Sequence, residues 1–134
     1  MVSFEVATHS RTEFVDITAQ VRAAAARTPV QSGMCFVYVP HTTAAVTVNE
    51  SYDADVAADI NAVLSRLVPY RAGYAHAEGN ADAHVKAALV GCCQGIPVEH
   101  GGLALGRWQG IFLCEFDGPR QRRCQVQVIS QSGG

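Results

Sequence analysis

Charged side chains are scarce in this sequence: Asp, Glu, Lys and Arg make up 16% of 134 residues, against roughly 25% in an average soluble domain. So little charge leaves weakly polar surface to be covered, which points to a homo-oligomer. The net charge is −2 and the basic residues are dispersed, clustering only at Arg120, Arg122 and Arg123. That excludes the broad positive field of a non-specific nucleic-acid binder. No apolar run approaches the roughly 20 residues of a membrane span, and no secretory leader precedes Phe4. The five cysteines include no C-x-x-C pair. Reduced thiols in a cytoplasmic protein without a membrane partner are therefore expected, with Cys35 and Cys114 buried in apolar strands.

Several chemical signatures are also missing. There is no H-E-x-x-H helix, so a metalloprotease is excluded. Gly101, Gly102 and Gly106 lack the strand-to-helix setting of a phosphate loop and read as turns. His41 has threonine neighbours but no nucleophile elbow, which removes Ser-His-Asp hydrolysis.

The 49% hydrophobic content can build one core over residues 1–134. Residues 4–8 and 13–17 alternate and suggest a hairpin turning at 9–12. Thr18 is placed to cap a helix from Ala19 that stops before Pro29. Two strands, 34–39 and 44–48, flank His41-Thr42-Thr43 as a tight junction. Val56, Ile60, Val63 and Leu67 recur at helical spacing from Asp53 to about Leu67. A third helix is expected from Asp82 to about Leu89, with Val85, Ala88 and Leu89 inward. The remaining strands, 96–99, 103–105, 109–116 and 124–129, are split by glycine turns, and 131–134 reads as a frayed tail. The fold class is α+β: a compact, mainly antiparallel sandwich or barrel-like sheet with flanking helices.

Polar chemistry concentrates in three places. The first is His41-Thr42-Thr43 with Asn49, Glu50 and Asp53 beyond the next strand. The second is His76 to His84, where Glu78, Asn80 and Asp82 intervene. Three histidines favour a transition metal such as zinc, while carboxylates and water suit magnesium. The third contains Trp108, Gln109, Glu115, Arg120 and Arg122. A buried, charged and unpaired Glu115 would cost about 3 kcal/mol, so it needs a partner, Arg120 or Arg122. A structural ion pair and a catalytic carboxylate are both compatible with that need.

The blocks PHTTAAVTVNE at 40–50, HAEGNADAHVKAALVG at 76–91, IPVEHGGLALGRWQGIFLCEFDGPR at 96–120 and the terminal QVQVI span nearly the whole chain. Together they closely resemble the YjbQ or UPF0047 family, also described as the secondary thiamine-phosphate synthase family. The resemblance implies a trimer with a pocket near a subunit boundary, binding a small phosphorylated metabolite. Its implied metal-binding or catalytic centre holds a divalent ion with His41, His76 and His84, and catalytic residues would also include Glu50 and Glu115. Thr42, Asn49, Asn80, Trp108, Gln109, Arg120 and Arg122 would contact substrate.

The implied reaction joins hydroxymethylpyrimidine diphosphate to thiazole phosphate, releasing pyrophosphate, as a secondary activity. Two other readings remain open. One is metal-dependent hydrolysis of a small phosphorylated metabolite; the other is a nonenzymatic, oligomeric metal- or metabolite-binding protein.

Overall fold

The computed structural model describes residues 1–131 of the chain. Eleven elements follow in order: β1 (Val2–Ala7), β2 (Glu13–Asp16), α1 (Thr18–Ala26), β3 (Gly33–Tyr38), β4 (Ala44–Glu50), α2 (Ala54–Leu67), α3 (Ala81–Val90), β5 (Cys93–Glu99), β6 (Gly102–Leu103), β7 (Gln109–Glu115) and β8 (Gln121–Ser130). All strand pairs are antiparallel, in a five-stranded sheet ordered β1-β8-β3-β5-β6 and a three-stranded sheet ordered β2-β7-β4. The sheets curl as a half-barrel around one core, with helices outside. This is the α+β architecture expected from the alternation of short strands and glycine turns. Among the described residues no helix is long and apolar enough to cross a membrane.

Strand periodicity builds two apolar layers, because successive side chains point to opposite faces. Ile111 and Leu113 of β7 join Val6, Cys35, Val37, Cys124 and Val126 in the core between the sheets, which Ile17, Val21 and Ala24 close from the α1 side. The intervening Cys114, with Phe116 just past the strand, packs outward on Ala83 and Ala87 of α3 and on Leu64 of α2. Covered on both faces, β7 is buried from Gly110 through Glu115. Cys35 and Cys114 are buried as expected, and burial pushes both thiols above their ordinary pKa.

Several local expectations change. β1 and β2 do not form a hairpin: β1 pairs with β8 and β2 with β7, so the 8–12 segment crosses between sheets. β3 and β4 likewise lie in different sheets, and His41-Thr42-Thr43 bridges them instead of turning a hairpin. Thr18 does not cap α1. Its hydroxyl donates to Asp16 Oδ1 at 2.6 Å and accepts the Ile111 N–H at 2.9 Å, stitching the helix start to β7. Asp53 does cap α2, accepting the Asp55 N–H at 2.9 Å. α3 turns the other way from the expected stripe: Asp82, Ala83, Lys86 and Ala87 are buried, while Val85 and Leu89 face out. The ion pairing of Asp82 described below rotates the helix so. Gln131 is tied to Ser32 by two hydrogen bonds; the rest of the expected tail, 132–134, lies outside the described residues.

Gly118 holds the β7–β8 turn against the 8–12 crossover. A Cβ there would lie 2.4 Å from the Ser10 carbonyl oxygen and 2.8 Å from Glu115 Cγ. Gly118→Ala should therefore lower the unfolding free energy by about 1–3 kcal/mol in urea titration; an unchanged midpoint would show that the two segments separate freely.

Candidate functional site

The inward side-chain series of four strands end together. In β1 and its continuation it runs Phe4, Val6, Thr8; after β3 it runs Val37, Val39, His41; in β7 it is Ile111, Leu113, Glu115; in β8 it is Arg122, Cys124, Val126. The apolar members fill the core, and the polar ones form a layer across its end. Thr43, just before β4, completes it through the Ala44↔Glu115 register.

Glu115 is the centre of that layer. Its side chain is fully buried, and the Arg122 guanidinium grips it in a fork: Nε donates to Oε1 at 2.9 Å and Nη2 donates to Oε2. The Thr8 hydroxyl donates to Oε1 at 2.7 Å and the Asp117 amide to Oε2 at 3.0 Å. Four donors fill the acceptor positions of the carboxylate. Burial pushes its pKa up, but hydrogen bonds from Arg122, Thr8 and Asp117 outweigh this and hold it below the ordinary value. With its lone pairs occupied and no solvent contact, Glu115 is a positioning group. Of the two partners anticipated for it, Arg122 is the one used.

Arg120 is pinned differently. Nε donates to the Asp117 carbonyl at 2.7 Å and Nη2 to Asp117 Oδ2 at 2.9 Å. Asn80 Nδ2 donates to the same Oδ2 at 2.9 Å, joining the start of α3 to this turn. The buried Asn80 Oδ1 is left without a partner. Arg122 Nη2 additionally reaches the Thr43 hydroxyl and carbonyl at 2.9 and 3.2 Å. Both arginines thus spend Nε and Nη2 on the protein, and among the described residues neither Nη1 has a hydrogen-bond partner. They line one open cleft of about 360 Å³ with His41, Thr42, Glu78, Asn80, His84 and Asp117.

A second ion cluster fixes the helix wall of the cleft. Asp82 is fully buried and accepts Arg11 Nη1 and Nη2 at 3.1 and 3.0 Å, with Lys86 Nζ 3.4 Å away. Arg11 stacks on Tyr70 at 3.8 Å from the ring centroid. Burial raises the Asp82 pKa, but Arg11 and Lys86 overcome it and the net shift is downward. The pairing ties the 8–12 crossover to α3, the helix that carries His84.

The anticipated site residues divide into two groups. His41, Thr42, Asn80, His84, Glu115, Arg120 and Arg122 gather at this end. His76 stands beside His84, their ring centroids 5.3 Å apart, with Glu78 Oε2 3.6 Å from His76 Nε2. Asn49, Glu50, Trp108 and Gln109 lie at the opposite end of the β4–β7 pair, where Glu50 faces Gln109. Six residues of strand, about 20 Å, separate the two groups. There Tyr52 packs edge-on to Trp108 at 5.0 Å, and both rings are exposed.

The three histidines do not form one ligand set within the chain. His41 Nε2 accepts the Arg123 amide at 2.9 Å, and among the described residues no three His, Cys, Asp or Glu side chains are grouped to hold a metal. His76 and His84 alone are adjacent, and two imidazoles do not make up a metal site.

Sequence reading missed Thr8, Arg11, Lys86 and Asp117. The period-two series of β1 points to Thr8, Asp117 sits inside the F-D-G-P turn, and Lys86 stands four residues after Asp82 on one helix face; Arg11 carried no signal, because it acts across 71 positions on a buried Asp82.

A family model described as UPF0047 protein YjbQ-like matches residues 2–131. UPF0047 protein MJ1081 of Methanocaldococcus jannaschii is 46% identical over 96% of this chain and 94% of its own length. YugU of Bacillus subtilis is 42% identical, over 95% and 97%. Among solved structures, an uncharacterised YjbQ/UPF0047 protein from Clostridium acetobutylicum superposes with a TM-score of 0.94 at 44% identity, covering 96% of this chain and all of that one. A YjbQ-like protein of unknown function from Sulfolobus solfataricus gives 0.93 at 33%, covering 97% and 96%.

Both buried carboxylates have depressed pKa values, so their stabilisation is fully present above the ordinary values of 4.5 for Glu115 and 3.8 for Asp82 and is lost as pH falls through the lower folded values. Urea midpoints measured from pH 7 to pH 2 should drop steeply below about pH 4. Glu115→Gln should be less stable at pH 7 by about 3 kcal/mol and lose less on acidification. Parallel curves for wild type and variant would contradict this.

Proposed function

We propose that this chain, which belongs to the UPF0047 family of YjbQ-like proteins, binds a phosphorylated or diphosphorylated small metabolite in the cleft between Arg120 and Arg122 and catalyses transfer at it. The observation that carries this reading is the pair of arginines, each anchored by a carboxylate-bearing residue and each with Nη1 left over. A guanidinium held in place gives an anion a preformed donor, with less side-chain entropy to lose on binding. The transfer that suits the family is joining hydroxymethylpyrimidine diphosphate to thiazole phosphate. The thiazole nitrogen attacks the pyrimidine methylene carbon, the carbon–oxygen bond to the diphosphate breaks, and pyrophosphate leaves with the electron pair.

The protein's part is positioning and charge stabilisation. Arg120 and Arg122 hold the diphosphate as negative charge builds on its leaving oxygen. The orphaned Asn80 Oδ1 accepts a donor of the substrate, such as the exocyclic amine of an aminopyrimidine. His84 donates a proton to the departing pyrophosphate, with His76 against its ring. A divalent cation, zinc or magnesium, would be held by His76 and would neutralise diphosphate charge when bound.

Assembly as a trimer accompanies this reading. Leu67 of α2 and Leu89 of α3 are 71% and 64% exposed, and Val63 and Val85 beside them also face out. Burying such faces in a neighbour would offset the low charged fraction. The Asn49, Glu50, Trp108 and Gln109 end of one subunit would then face the arginine cleft of the next, closing a site that each chain holds only in halves.

Wild-type protein supplied with both precursors and a divalent ion should yield thiamine phosphate and pyrophosphate, and His84→Ala should fall at least about a hundredfold. Mixing inactive His84→Ala and Trp108→Ala subunits should restore part of the activity, because some mixed assemblies contain an intact composite site. Equal product in wild type and His84→Ala would reject the transferase reading. Phosphate release without the thiazole acceptor would assign hydrolysis instead, and failure of the mixture to recover would place the whole site within one chain.

A further inference from the structure

His41 leaves the end of β3 just beyond the last β3–β8 pair, Tyr38↔Gln125. Its ring then takes over the role of a strand partner: the Arg123 backbone N–H donates to Nε2 at 2.9 Å. A backbone amide keeps its proton, so the nitrogen it meets must present a lone pair. A neutral imidazole has one bare nitrogen and one N–H, and the proton is therefore forced onto Nδ1. Protonating Nε2 as well would set two N–H groups against each other and place a second cation beside Arg122. Burial, followed by the Arg122 guanidinium, holds the His41 pKa below the ordinary value, with Glu115 pulling less strongly the other way.

Nδ1 has no hydrogen-bond partner among the described residues, and His41 lines the same cleft as Arg120, Arg122 and Asn80. We propose that His41 is locked by the Arg123 amide as the Nδ1–H tautomer and serves as a neutral hydrogen-bond donor to the anion held by the two arginines, neither a general base nor a metal ligand. The proposal rests on the anion-binding reading above and gives it a division of labour. Arg120 and Arg122 supply charge; His41 supplies direction without a third positive charge to be desolvated. Proton transfer then belongs to His84, and any cation to His76. The backbone, not a carboxylate, sets the tautomer, so no single side-chain substitution elsewhere releases it.

The two carboxamide residues separate the roles of the ring nitrogens. In His41→Asn the amide nitrogen falls near the Nδ1 position and keeps a donor toward the cleft. In His41→Gln the amide oxygen can reach the Nε2 position and accept the Arg123 N–H, but the Nδ1 donor is gone. Calorimetric titration with inorganic pyrophosphate should find His41→Asn within about threefold of wild type and His41→Gln weaker by about tenfold or more, the loss of one hydrogen bond to a charged ligand. Long-range nitrogen–proton correlation spectra of the histidine-labelled wild-type protein at pH 7 should show Nδ1 protonated and Nε2 bare, and zinc should perturb His76 and His84 while leaving His41 Nε2 unchanged. A protonated Nε2, zinc on His41, or equal losses in the two variants would overturn the proposal. The predicted tautomer in a protein that binds no pyrophosphate would reject the anion reading and the donor role with it, while leaving the lock itself standing.

Discussion

Placing a carboxylate and a guanidinium at the end of an apolar core costs several kcal/mol per ion before their attraction is counted. The chain accepts that cost at Glu115 and Arg122, and almost everything around the cleft is arranged by it. The fork between them joins β7 of the small sheet to β8 of the large one. Thr8 brings in the segment after β1, the Asp117 amide fixes the following turn, and Thr43 couples the start of β4 to the same guanidinium. Replacing the pair by apolar side chains would close the core equally well, but the cleft would lose the Arg122 guanidinium, and the turn that presents Arg120 would lose its anchor on Glu115. The pair is better understood as fixing geometry than as adding net stability.

The cleft inherits its character from this arrangement. Its two arginines are already partnered within the protein, so their guanidinium groups are fixed in place instead of being mobile charges. A second buried carboxylate, Asp82, repeats the device on the helix side through Arg11 and Lys86, and thereby sets which face of α3 points inward. Apolar residues at Val85 and Leu89 are displaced to the surface as a consequence. The orientation of His84 and the exposed patch on α3 thus have one cause.

Much of this was legible in the sequence, and the parts that were not share a reason. Strand positions followed from alternation, α2 from helical spacing, and the need for a Glu115 partner from the cost of burying it alone. Strand pairing was not legible: β1 with β2, and β3 with β4, look like hairpins because short connections usually join neighbours, yet both connections cross between sheets. Alternation fixes which face a residue takes, not which strand it meets. The inward face of α3 was misread because Val85 and Leu89 are apolar and Asp82 and Lys86 are charged; a long-range pair with Arg11 reverses the usual preference. The strand expected at 44–48 already separated His41-Thr42-Thr43 from Asn49 and Glu50; what local sequence did not carry is that Trp108 and Gln109 join the far end while Glu115 and Arg122 join the near one.

The central claim is that Glu115 and Arg122 act as one unit. A double-mutant cycle with Glu115→Leu, Arg122→Met and the combined variant, followed by urea unfolding at pH 7, tests it directly. Each single change leaves the other charge buried and unpaired, so the double variant should be more stable than the sum of the single losses predicts, with a coupling of about 2–3 kcal/mol. Additive losses, within about 0.5 kcal/mol, would contradict the account.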